Sequence, residues 1–158
     1  METRLDAIKA APEVYRAMLA LESAVESSGL ERCLLNLVKL RASQINGCAY
    51  CIDMHSQDLR AEGEPEQRLY LLEAWREAPF YSDRERAALA WTEAVTLITE
   101  GHVPDDVYEK ARKDFQDDEL VKLTLAIVAI NGWNRFGIAF RAVPGHYRPL
   151  HRHETAVT

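Results

Sequence analysis

Gln44-Ile45-Asn46-Gly47-Cys48-Ala49-Tyr50-Cys51-Ile52-Asp53-Met54-His55 is the one stretch that concentrates reactive side chains at helical spacing. Asn46-Gly47 reads as a helix stop, because glycine accepts the left-handed backbone that ends a helix. A helix restarting behind it carries Cys48 in its first turn and Cys51 three residues on. His55 then lies one turn beyond Cys51 on the same face. Two thiols and a base share one small site, and the rest of the chain reads as scaffold.

Working outward, the segment before the break carries Leu34, Leu37, Val38, Arg41 and Ile45 at three- and four-residue spacing from about Leu30. An earlier helix starts at Pro12 and runs through Val14, Met18, Leu19, Leu21 and Val25 to Ser27-Ser28-Gly29. Beyond the thiols, the third helix reaches about Ala61, and a fourth begins near Pro65, carrying Leu69, Leu72 and Trp75 to Ala78-Pro79. Ser82-Asp83-Arg84-Glu85 is a capping box that opens a fifth helix, Asp83 to about Thr99, stopped by Gly101. Pro104-Asp105-Asp106 opens a sixth, reaching Phe115. The last helix, capped by Asp117 or Asp118, runs from Glu119 to about Ala142. Its apolar residues, Leu120, Leu123, Leu125, Ile127, Val128 and Ile130, cover more than one face, which suits a central helix or one shared between subunits. No segment alternates with period two, so the fold is read as all-α, a helical bundle in one domain over residues 1–143 with the CxxC pair at a helix N-terminus. Residues 144–158 form a polar tail expected to be poorly ordered.

With 158 residues, 47% hydrophobic and 28% charged, the chain is long enough to bury a core without disulfide staples. A net charge of −6 argues against a nucleic-acid footprint or an anionic membrane surface. No phosphate-cradling glycine loop occurs, so no nucleotide cofactor is expected. No apolar run reads as approaching the roughly 18 residues of a membrane span, and the N-terminus lacks a signal-peptide core. A cytoplasmic location is the expectation, and CxxC with a single further cysteine, Cys33, suits a reducing compartment. Cys33 reads as a small buried hydrophobe, and His102 as exposed loop. The tail histidines His146, His151 and His153 read as solvated, and Trp75, Trp91 and Trp133 as core packing. Asn36, Asn131 and Asn134, polar within apolar helices, hydrogen-bond either in the core or at the site.

The segment Leu37 to His55 resembles the AhpD-like alkylhydroperoxidase branch of the carboxymuconolactone decarboxylase family. The resemblance continues through Glu66-Gln67-Arg68-Leu69-Tyr70, Phe80-Tyr81, Glu85 to Glu93 and Ile130-Asn131-Gly132-Trp133-Asn134-Arg135. It implies an all-helical fold, a homo-oligomer, often a trimer or hexamer, and a CxxCxxxH site that reduces peroxides. The chain departs from that pattern at two positions. The relay glutamate, twelve residues before the first cysteine, is replaced by Asn36, and Tyr50 stands where some members place a histidine.

A thiolate, not a thiol, attacks peroxide oxygen, and a helix N-terminus or a neighbouring His⁺ lowers a cysteine pKa. The sulfenic acid so formed needs a second thiol nearby. Cys51, one turn from His55, is the expected peroxidatic thiol, with His55 as base or thiolate partner. Cys48, expected at the more accessible end, is the proton donor and resolving thiol that meets an external dithiol or thioredoxin-like reductant. Two other readings compete: a disulfide reductase or adaptor feeding another peroxidase, and a non-catalytic oligomeric scaffold in which Cys48, Cys51 and His55 contribute to a zinc site. Decarboxylation ranks low, because members with that activity typically lack the paired cysteines.

Overall fold

The computed structural model describes residues 2–149, which form eight α-helices and one 3-10 turn, with no strand among the described residues. In chain order these are α1 (Ala7–Ala10), α2 (Pro12–Glu26), α3 (Arg32–Asn46), α4 (Ala49–Ala61), α5 (Glu66–Tyr70), the 3-10 turn (Leu72–Ala74), α6 (Asp83–Thr96), α7 (Asp105–Asp114) and α8 (Asp117–Phe140). The all-α expectation holds.

Helix α3 is the hub, packed against α4, α6 and α8, while α2 lies along α8 and α7 along α6. Val25, Leu34, Leu35, Val38, Ala88, Leu123, Ala126 and Ile127 form the largest apolar cluster. Leu37, Leu40, Leu59, Leu72, Trp75 and Leu89 form a second on the other side of α3. Each such fully buried aliphatic side chain contributes about 1.5–3 kcal/mol. Of the apolar residues expected along α8, Leu120, Leu123, Ile127 and Ile130 are buried, together with Ala126 and Ala129, whereas Leu125 is partly buried and Val128 is exposed. By length and composition alone α8 also matches a membrane span, against the expectation that no segment would. Its packing on α2, α3 and α6 accounts for that apolar content within the bundle.

Several boundaries differ from the sequence reading. The short α1 was not expected; Asp6 caps it by accepting a hydrogen bond from the Lys9 backbone N–H. The fourth helix does not run to Ala78 but breaks at Leu71 into the 3-10 turn. There Leu72, Trp75 and Ala78 turn into the core, and the Arg86 guanidinium donates to the carbonyls of Trp75, Arg76, Ala78 and Tyr81. Backbone acceptors that a continuous helix would have satisfied are thus met by one side chain. Helix α6 stops at Thr96 rather than Thr99, leading to a turn with Gly101 and His102 in the left-handed region. Helix α8 starts at Asp117 and is capped by Gln116, whose backbone N–H donates to Glu119, in place of the expected Asp117 or Asp118. It ends at Phe140, with Arg141 in the left-handed conformation.

Residues 144–149 carry no helix but are tied down, since the Gly145 N–H donates to Asp53 and the Tyr147 hydroxyl to Asp58, both at 2.7 Å. The rest of the expected tail, residues 150–158 with His151 and His153, lies outside the described residues. Cys33 is half-buried rather than core: its thiol donates to the Glu64 carboxylate at 3.0 Å. Burial and that carboxylate push it up to about 12, so it is no nucleophile at neutral pH. Cys33→Ser keeps a donor toward Glu64 and should leave thiol-dependent activity within about twofold of the parent, as measured in steady-state assays.

Candidate active site

Gly47, at φ 71°, ends α3, and the chain turns directly into α4. Cys48 is the N-cap of α4 rather than a first-turn residue, with extended backbone and its N–H donating to the Ser43 carbonyl at 3.0 Å. The first N–H groups of α4, unpaired within the helix, therefore surround the thiols with positive potential. Cys48 and Cys51 are joined as a disulfide, with Cα atoms 5.4 Å apart.

Helix α8 presses on these sulfurs. A Cβ at Gly137 would stand 3.0 Å from Cys48 Sγ and 3.6 Å from Cys51 Sγ, so a larger residue there would require the Cys48 sulfur to give by a few tenths of an ångström. Ala42 and Ile130 complete a small cluster around the pair, bordered by Tyr50 and Trp133. Cys48 is 1% exposed and Cys51 3%. Cys48 is therefore not the accessible end, contrary to the sequence reading, because α8 covers the opening of α4.

What reaches the thiols is a cavity of about 940 Å³, lined by Cys51 and His55 but not by Cys48. Leu19, Met54, Trp133, Phe136 and Phe140 give it apolar walls, with Leu5 and Ile8 from the N-terminal segment at its edge. Trp133 thus serves as cavity wall as well as packing; its Nε1–H donates to Glu22 at 3.0 Å. Trp75 and Trp91 instead donate to Glu93 and Thr124 within the bundle.

The polar end of the cavity was not read from the sequence. The Lys39 ammonium, its side chain 3% exposed, lies 2.5 Å from Glu22 and 2.6 Å from Glu26. Burial alone would lower its pKa, but the two carboxylates outweigh it and hold Lys39 above the ordinary value. A lysine inside the apolar run Leu37-Val38-Lys39-Leu40 was the available signal. Asn36, at the relay position, lines the same cavity and donates to Glu62 at 3.0 Å. Asn131 and Asn134 belong to the core instead. The Asn46 amide donates to both, and Asn134 donates to Ser43, which ties α8 to the end of α3 just before the thiols.

His55 is buried, and burial first, with Lys39 second, lowers its pKa to about 3. It is neutral at pH 7 and is not a standing cation. Its Nδ1 has no hydrogen-bond partner; Asp58 Oδ2 stands 3.9 Å away. Among the described residues no three His, Cys, Asp or Glu side chains are grouped to hold a metal ion.

Residues 12–94 match the model of the carboxymuconolactone decarboxylase family. The uncharacterized protein YdfG of Bacillus subtilis is 45% identical over 139 residues, covering 88% of this chain and 95% of that one. Among solved structures, ATU0492 of Agrobacterium tumefaciens superposes with a TM-score of 0.90 at 49% identity, over 92% of this chain and 100% of that one. It is described as of unknown function and as a candidate antioxidant defence protein AhpD. The debrominase Bmp8 gives a TM-score of 0.79 at 17% identity, over 88% of this chain and 75% of that one, a likeness of fold alone.

Proposed function

From the premise that this chain belongs to the carboxymuconolactone decarboxylase family, on its AhpD-like side, we propose that it is a thiol-dependent peroxidase acting on organic hydroperoxides. The observation that carries this reading is Cys51, the one cysteine lining a large apolar cavity, paired with a second cysteine and sharing that cavity with a neutral buried histidine. Hydrogen peroxide needs no such walls. An alkyl or aryl hydroperoxide would bury its organic group against Leu19, Phe136 and Phe140.

In the reduced protein His55 takes the Cys51 proton, and the thiolate attacks the distal oxygen of ROOH. The O–O bond breaks, its electron pair leaves on the alkoxide, and the alkoxide takes the proton held by His55 to become ROH. Cys51 is left as sulfenic acid. The Cys48 thiol gives up its proton and attacks the Cys51 sulfur, water departs, and the disulfide closes. An external dithiol returns two electrons and two protons, so the sum is ROOH plus dithiol giving ROH, water and disulfide. Because Cys48 is covered, the reductant reaches the pair from the cavity at Cys51.

Peroxide-dependent oxidation of a dithiol by the purified protein tests the reading. Oxidation seen only when a second peroxidase is added would favour the adaptor alternative. Assembly is proposed on separate grounds: Val121 and Val128, seven residues apart on α8, are exposed, with the partly buried Leu125 between them. A homo-oligomer burying more than about 1,000 Å² per contact is expected. Light scattering that found only the 18.0 kDa monomer at micromolar concentration would rule it out.

A further inference from the structure

The carboxylate that a relay would use at position 36 is absent, since Asn36 carries no charge and its amide is engaged with Glu62. His55 nevertheless sits buried with Nδ1 unpartnered. A buried polar nitrogen without a partner costs about 1–3 kcal/mol, and more once the ring is protonated. Lys39 is a donor and offers no acceptor, and Glu22 and Glu26 are both engaged with it. Asp58, three residues on along α4, is the acidic side chain within 4.0 Å of the ring.

We infer that Asp58 positions His55, and that Tyr147 holds Asp58 in place to do so. This rests on the thiol-peroxidase reading for its purpose, though not for its geometry. Tyr147 reaches back from the segment after α8 and donates to Asp58 Oδ1 at 2.7 Å, which leaves Oδ2 for the imidazole. The Gly145 N–H donates to Asp53 one turn earlier on α4, so the segment is fastened at two points along that helix. Tyr147 and Asp58 both line the cavity with Cys51 and His55.

The 3.9 Å separation must shorten by about 1 Å to make a hydrogen bond, which a small torsional change of either side chain supplies. With Nδ1–H turned to Asp58, the ring's lone pair is on Nε2, the one nitrogen left to accept a proton. When the Cys51 thiol gives up that proton, the imidazolium has an acceptor at Nδ1 and its charge faces a carboxylate. The logic is that of a triad in which the acid fixes the tautomer and stays ionised. Burial raises the Asp58 pKa and the Tyr147 hydrogen bond works against that rise, which helps keep the carboxylate charged. The other charged groups facing this pair are Lys39 and Arg32 from α3 and Glu26 from α2, none of them altered in the variants below.

The test uses the reduced full-length protein. Long-range ¹H–¹⁵N NMR reports the His55 tautomer, and iodoacetamide labelling with peptide mapping reports Cys51 reactivity against pH. Wild type should show the Nδ1–H tautomer. Asp58→Asn keeps the shape and an acceptor for Tyr147 but presents an amide donor to Nδ1, so the tautomer should flip to Nε2–H. Cys51 alkylation at pH 7 should then fall at least about tenfold, its midpoint moving toward the roughly 8.5 of a free thiol. Tyr147→Phe should keep the tautomer and move the midpoint in the same direction by a smaller amount. An Nε2–H tautomer in wild type, or an unchanged tautomer and profile in Asp58→Asn, overturns the assignment. Neither readout needs peroxide, so a protein that flips its tautomer yet consumes no hydroperoxide would refute the proposed activity and leave this inference standing.

Discussion

Cys51→Ser should abolish peroxide-dependent turnover, with kcat/KM falling by at least about a thousandfold, because the hydroxyl is far less nucleophilic than a thiolate and nothing else lining the cavity replaces it. Cys48→Ser should behave differently. The cavity leads to Cys51, so one equivalent of hydroperoxide should still oxidise that sulfur and release one equivalent of alcohol. Without the second thiol the sulfenic acid persists long enough to be trapped and mapped. Steady-state turnover should be lost unless an external thiol attacks Cys51 directly, in which case a mixed disulfide on Cys51 would be isolated. In Cys51→Ser no sulfenate should form on Cys48, which α8 covers down to 1% exposure. A sulfenate label found mainly on Cys48 of the wild type would reverse the two roles.

The parts of this site that were legible in the sequence are those made by local geometry. Cys48, Cys51 and His55 fall within eight residues, and a helix stop at Gly47 is enough to bring them together. Helix existence was legible for the same reason, since apolar spacing and capping residues act over one or two turns. What failed depends on contacts between distant segments. The break at Leu71 is stabilised by Arg86, fifteen residues on, and the covering of Cys48 comes from Gly137, far along the chain on α8. Tyr147 and Asp58 are 89 residues apart, so no periodicity joins them. The expectation that Cys48 was accessible treated α4 as an isolated helix whose first residue faces solvent. Packing of α8 on the thiols through Gly137 reversed that.

The cluster at the polar end of the cavity leads to the other large effect, and the effect should be asymmetric. Lys39 is the buried partner, 3% exposed at the side chain, whereas Glu22 and Glu26 are 25% and 47% exposed. Lys39→Met removes the cation and leaves two carboxylates that water can reach through the cavity mouth. Its cost should be about 1–2 kcal/mol, since exposed charges lose little when unpaired. The double variant Glu22→Gln with Glu26→Gln leaves an ammonium with amide partners alone and no counter-charge, and should cost about 3–5 kcal/mol. For a chain of this size that corresponds to a fall in Tm of about 10 °C, readable by calorimetry or circular dichroism. The pH dependence separates charge from packing. In the parent the folded-state pKa of Lys39 is raised, so its contribution is fully present below the unfolded value near 10.4 and is lost as pH rises through the folded one. In the double variant the unpaired lysine has a depressed pKa, and its penalty is relieved as pH rises toward about 10. The stability gap between parent and double variant should therefore narrow steadily from pH 7 to pH 10. A gap that stayed constant over that range, or a Lys39→Met loss larger than that of the double variant, would mean that packing around Lys39 and not its charge sustains this wall of the cavity.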